Sequence, residues 1–211
     1  GLPIGLTYLA ESGLFSAAAI MMGWIGTIEL ATHGIAMQIV AITFMCHLGL
    51  SQGATTLIGN AYGRKDGPEV LRRIGICAVN ITTVFSVLMV IIFLTFPHPL
   101  LGLFVDNSDP ASETILIVGT GLLFIAAFFQ LTDGLQAVGL ALLRGMQDVR
   151  VPFIFAFISY WGVGFTTSYI LGFKAGLGAQ GIWLGLVSGL TLASILLLWR
   201  YWYQTRGQVL N

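Results

Sequence analysis

Six stretches of this chain are long and almost uncharged, at approximately 2–24, 30–62, 74–96, 112–143, 152–172 and 180–203. A helix needs about 20 apolar residues to cross the hydrocarbon layer of a bilayer, and each stretch meets that length. The expected fold is therefore an all-α polytopic membrane protein, with residues 1–211 forming one six-helix transmembrane lobe. The second and fourth stretches exceed the need and are expected to tilt or protrude. Composition agrees: 56% of the 211 residues are hydrophobic and 9% charged, where a soluble domain carries about 25% charged residues.

The links between the stretches are short. Gly63 to Pro68 is a turn cluster, Pro97-His98-Pro99 and Asp106 to Pro110 bracket the third loop, and Pro152 stands at the start of the fifth helix, where its missing N–H costs least. No soluble domain and no low-complexity tract interrupts them. Cys46 and Cys77 lie within apolar runs without CxxC or zinc spacing, so they read as packing residues with no structural disulfide. The chain enters an apolar run directly at Gly1, with no basic leader or cleavage site, which is the expectation for a piece of a longer polypeptide.

Charge is distributed unevenly between the two faces. Arg64, Lys65, Arg72, Arg73, Arg144, Arg150, Arg200 and Arg206 fall on the face that carries both termini. The other face carries Lys174 and an acidic loop with Asp106, Asp109 and Glu113. The positive-inside rule places both termini in the cytoplasm, with Trp199, Tyr201, Trp202 and Tyr203 as an interfacial belt. A net charge of zero provides no electrostatic footprint for nucleic acid.

Against this background Glu11 and Asp133 stand out. A carboxylate near the bilayer centre costs about 2.5–3.5 kcal/mol even on insertion scales. Helix rise puts Glu11 about 14 Å from one end of its helix and Asp133 about 16 Å from the same face of the membrane, so the two acids share one depth and can line one cavity. Thr7 and Tyr8 fall on the Glu11 face, while Gln130, Asp133 and Gln136 recur at i, i+3, i+6. His47, Ser51 and Thr55 make a third polar line, to which Gln38, Gln52 and Asn60 add. The plainer readings are protonated acids linking helices, a satisfied core histidine at His47, and ordinary interhelix bonding along the second helix. His33 and His98 lie near helix ends, at an interfacial depth. Gly181, Gly185 and Gly189, like Gly49 and Gly53, read as close-packing faces. No phosphate loop, nucleophile pair or metal cluster is present, and no enzyme is expected.

Several motifs resemble one transporter family. Gly1-Leu-Pro-Ile-Gly5 with Leu9-Ala-Glu11-Ser-Gly-Leu-Phe15, and Gly49 through Gly63, are similar to the opening helices of the C-terminal lobe of multidrug and toxic compound extrusion (MATE) transporters of the bacterial NorM-like branch. Asp133-Gly-Leu-Gln136 followed by Leu143-Arg-Gly-Met-Gln-Asp-Val-Arg-Val-Pro152 resembles the family's D-x-x-Q … L-R-G-x-x-D-x-R-x-P signature, the most specific part of the match. The resemblance implies a twelve-helix antiporter in a bacterial inner membrane. It would export cationic, amphipathic or aromatic compounds in exchange for Na⁺ or H⁺, and this chain would be one of its two lobes. The partner would be the missing second lobe or a copy of this one, and no cofactor is implied beyond the coupling ion.

The resemblance assigns cation or proton binding, including Na⁺ ligation, to Glu11 and Asp133. Thr7, Tyr8, Gln38, His47, Phe129, Gln130 and Gln136 are the expected cavity lining. Where some members carry Tyr, Phe129 offers no oxygen. His33-Gly34 stands where a His-Gln pair is common, with Gln38 one turn on as its substitute. One acid is expected to hold a proton when no cation is bound. Arg144, Asp148 and Arg150 are expected in a structural or gating role. The alternatives are a lipid-linked oligosaccharide flippase, which would want a more cationic cavity, an intramembrane aspartyl protease, whose G-x-G-D context is absent, and a channel-like bundle.

Overall fold

A computed structural model of the chain describes residues 1–105 and 111–207; Asp106 and Asp109 of the expected acidic loop lie outside the described residues. Among the described residues, seven helices follow in order: α1 (Leu2–Ile25), α2 (Thr27–Gly63), α3 (Pro68–Thr95), α4 (Pro97–Gly102), α5 (Ser112–Gly145), α6 (Arg150–Lys174) and α7 (Gly178–Gly207). All except α4 are long and apolar enough to cross a membrane.

The boundaries move outward where charge had hidden helix. The second helix begins at Thr27 and the third at Pro68, not near residues 30 and 74. Glu29 and Glu69 sit in their first turns, where a carboxylate complements the helix dipole. Gly26 alone separates α1 from α2. The Pro97-His98-Pro99 segment, expected as loop, forms the short α4. Its prolines fall in the first turn, where backbone N–H groups have no intrahelical partner. His98 is exposed on α4.

The two helix pairs that end at the basic face close with the same turn. Lys65 (φ 57°) and Gln147 (φ 62°) adopt the left-handed conformation just past α2 and α5. In each, the next N–H reaches back over the turn: Asp66 to the Ala61 carbonyl and Asp148 to the Leu143 carbonyl, a Schellman closure. Further contacts gather the helix ends here. Asp148 accepts from Arg200 Nε and Gln204 Nε2, Tyr201 OH donates to the Leu71 carbonyl, and Arg144 donates to Tyr8 OH.

Helix α5 is the hub, packing on α2, α3 and α7. Trp183, Tyr160, Tyr201, Phe93 and Phe129 are the largest fully buried side chains. The α7 glycines act as expected: a methyl on Gly189 would sit 2.7 Å from Gly164 Cα, and methyls on Gly185 and Gly181 would strike the backbones of Ser168 and Leu171 on α6. Gly49 and Gly53 differ from expectation, since a methyl added at either would meet nothing within 4 Å. They line an apolar groove of about 480 Å³ beside α3. Cys46 and Cys77, expected in packing, are exposed, on helix faces that the lobe leaves uncovered. Along α6, Ile158–Phe165 and Ile170–Lys174 widen into π-helical turns.

Candidate functional site

Helix α1 packs against α2 and α6 and meets α5 through side chains across a gap. Phe15 and Phe129 close one end edge-to-face at 5.9 Å. Arg144 closes the other, donating from Nη1 to Tyr8 OH at 2.9 Å with its guanidinium carbon 4.8 Å from the Tyr8 ring centroid. Between these bridges lies a cavity of about 240 Å³ lined by Tyr8, Glu11, Ser12, Phe15, Met37, Phe44, Phe129 and Asp133, among others. A small annex of about 20 Å³ leads on to Ser51, Gln136, Ala137 and Arg144. Glu11 and Asp133 thus face the same space from different helices.

Asp133 is 4% exposed and its Oδ1 has no hydrogen-bond partner. Three residues on, Gln136 donates from Nε2 to Tyr160 OH, and its own Oε1 is likewise unpaired. Tyr160 is fully buried and within electrostatic reach of both acids. The neighbouring Trp161 donates from Nε1 to the Ala10 carbonyl at 3.2 Å, beside Glu11. Within this π-helical segment, consecutive residues of α6 thus reach two different helices, Tyr160 meeting α5 and Trp161 meeting α1. Tyr160 and Trp161 carried no signal in the sequence: both sit in an unbroken apolar run, and hydropathy does not register a π turn.

Other expected lining residues point elsewhere. Thr7 is buried and returns its hydroxyl to the Pro3 carbonyl at 2.9 Å, the i−4 back-bond available to helical Thr. Gln38 is exposed and does not line the acid cavity, which α2 borders through Met37, Val40, Ala41 and Phe44. Gln130 donates to the Ser86 carbonyl at 2.9 Å, and His47 Nε2 lies 3.3 Å from Gln130 Oε1 and 3.4 Å from Ser86 Oγ. His47 is therefore a core histidine joining α2, α3 and α5, not part of the cavity wall. Each i+3 step on a helix turns about 60° short of a full circle, so Gln130, Asp133 and Gln136 fan toward α3, the cavity and α6 in turn. His33, near the start of α2, is buried within the lobe: it is 4% exposed and accepts at Nδ1 from Trp183 Nε1 at 3.2 Å.

Among the described residues, no three His, Cys, Asp or Glu come together. Tyr8, Glu11, Ser12 and Asp133 supply the acid cavity with oxygen donors, the kind that suits a proton or a hard cation. The unpaired Asp133 Oδ1 and Gln136 Oε1 are free to accept one. The larger groove beside α3 has apolar walls and one charged residue, Arg73, so it has no such donors.

Known proteins match the chain in sequence and in fold. The model of the MatE family matches residues 3–170. The chain is 45% identical over 201 residues to a probable multidrug resistance protein NorM of Rhizobium meliloti, covering 95% of this chain and 43% of that protein. It is 39% identical over 209 residues to a multidrug resistance protein NorM of Burkholderia vietnamiensis, covering 99% and 45% respectively. Two solved structures share the fold. One is a MATE protein in the straight conformation, with TM-score 0.90, 20% identity, 100% of this chain and 46% of that one. The other is an inward-facing multidrug resistance MATE family transporter of the MOP superfamily, with TM-score 0.85, 21% identity, 99% of this chain and 47% of that one. The chain spans less than half the length of the curated relatives it matches.

Proposed function

The chain belongs to the MatE family, and from that membership we propose that it is the C-terminal lobe of a secondary antiporter exporting cationic, amphipathic or aromatic compounds in exchange for Na⁺ or H⁺. The observation that carries the reading is the pairing of Glu11 and Asp133 in one cavity, with an Asp133 oxygen buried and unpaired. A bound cation or proton would satisfy that oxygen and offset the cost of an intramembrane charge. With no cation present, one of the two carboxyls holds a proton, because like charges in one dry cavity repel. Loading and unloading the pair then biases the full transporter between its outward- and inward-facing states, by as much as the ion's affinity differs between them.

An exposed polar row on α2 supports a second lobe. Gln38, Gln52, Thr56 and Asn60 are all exposed and fall on one side of the helix. Such a row is poorly suited to lipid and well suited to a partner lobe or a water-filled central cavity. With the basic face toward the cytoplasm, Arg144 marks the cytoplasmic end of the acid cavity and Phe15 with Phe129 the outer end.

The test is drug efflux from proteoliposomes containing the complete two-lobe protein, with Na⁺ and pH gradients imposed separately. Glu11→Gln and Asp133→Asn are each expected to abolish gradient-driven efflux while leaving expression intact. Undiminished efflux in both variants would remove the acids from the coupling mechanism.

A further inference from the structure

We propose that Arg144 is the third charge of the acid cavity, and that it restricts the cavity to one positive charge at a time. The inference rests on the antiporter reading only for its physiological meaning; the charge balance itself is a property of this lobe. Arg144 and Glu11 line the same annex, close enough to interact electrostatically. The guanidinium is not neutralised by a close acidic partner. The ion pairs among the described residues are Arg64–Asp66 and Arg200–Asp148, and Arg144 is not in either.

What holds Arg144 is neutral: the hydroxyl and ring of Tyr8. Tyr8 stands one turn before Glu11 on α1, and Arg144 lies in the last turn of α5, with Ala137 on the same wall. The phenol fixes the cation at the mouth of the cavity without cancelling it. Two carboxylates against one guanidinium leave a single net negative charge when both acids are ionised. One Na⁺ or one proton balances that charge. A divalent cation would over-compensate it and meet the guanidinium as well.

The test uses the purified complete protein and Ca²⁺ as the probe, read by thermal melting. The parent is expected to show no saturable Ca²⁺-dependent shift. Arg144→Gln is expected to acquire one, and Arg144→Lys, which keeps the charge, is not. Combining Arg144→Gln with Glu11→Gln restores the net charge and should remove the response. If Arg144→Gln fails to fold, Ala137→Asp adds a carboxylate to the same annex with Arg144 in place and should confer the Ca²⁺ response by itself.

A second measurement follows Na⁺-dependent stabilisation, whose half-saturation should tighten about tenfold in Arg144→Gln if the removed charge opposes cation binding. A Ca²⁺ shift in the parent equal to that of Arg144→Gln would overturn the proposal, as would no shift in either Arg144→Gln or Ala137→Asp. These readings do not involve transport. A parent that binds as expected yet exports nothing would count against the antiporter reading alone.

Discussion

Tyr160 is the side chain on which the interior of the acid site turns. It accepts from Gln136 one helical turn beyond Asp133, in full burial. Tyr160→Phe would leave the Gln136 amide with a lost partner, at a cost of about 1 kcal/mol in a membrane interior. A lower melting temperature of the complete protein checks this, and an unchanged one would mean that Gln136 finds another acceptor. Phe129 presents the opposite opportunity. It is clamped between Phe15 and Trp183, with ring centroids 5.9 and 5.3 Å away, and it lines the cavity. Phe129→Tyr would add a phenolic oxygen one helical turn before Asp133 on the cavity-lining side of α5, and Na⁺-dependent stabilisation is expected to strengthen. At this scale the sequence revealed the acids, because an ionisable group in an apolar run is conspicuous. It did not reveal which polar neighbours face them. Thr7, Gln38, His47 and Gln130 share the acids' helices or adjoin them but direct their polar atoms elsewhere, and for His47 and Gln130 that choice depends on partners distant along the chain.

Helix existence was legible, since a run of apolar residues long enough to span is hard to read otherwise. Helix ends were less so, because Glu29 and the Glu69–Arg73 turns look like loop on a hydropathy scale while serving as ordinary helix termini. The π-helical turns of α6, which lie in its contact with α7, were illegible on a hydropathy scale. That contact makes a sharp prediction. A methyl on Gly189 meets Gly164 Cα at 2.7 Å and the Ser159 carbonyl at 2.8 Å, both backbone atoms that cannot swing aside. Gly189→Ala should therefore lower stability by about 1–3 kcal/mol, whereas Gly53→Ala, with open space around it, should change little. Denaturation of the two variants side by side provides the comparison. The turns at Lys65 and Gln147 respond in the other direction. Both are non-glycine residues held in the left-handed region, which costs about 1–2 kcal/mol relative to glycine. Lys65→Gly and Gln147→Gly are each expected to raise the melting temperature.

As a whole molecule, the lobe has a well-packed interior around α5 and α7 and an unfinished exterior along α2. The polar row from Gln38 to Asn60 belongs against something other than lipid. Expressed alone, this chain is expected to show no gradient-driven efflux, and co-expression with the complementary lobe to restore it; efflux from the lobe alone would point to self-association. Sequence motifs anticipated the family, and relatives more than twice the length of this chain accord with the proposed second lobe. The guanidinium at the cavity mouth has one more consequence, in bioenergetic terms. A site that takes a single positive charge, exchanged for a singly charged drug, moves no net charge across the bilayer. The electrical driving force, about 2.3 kcal/mol per charge for every 100 mV, then does no work on the cycle. Export of such a drug would draw on the ion's concentration ratio alone and continue in a depolarised cell, whereas a neutral drug would be expelled faster as the membrane potential rises.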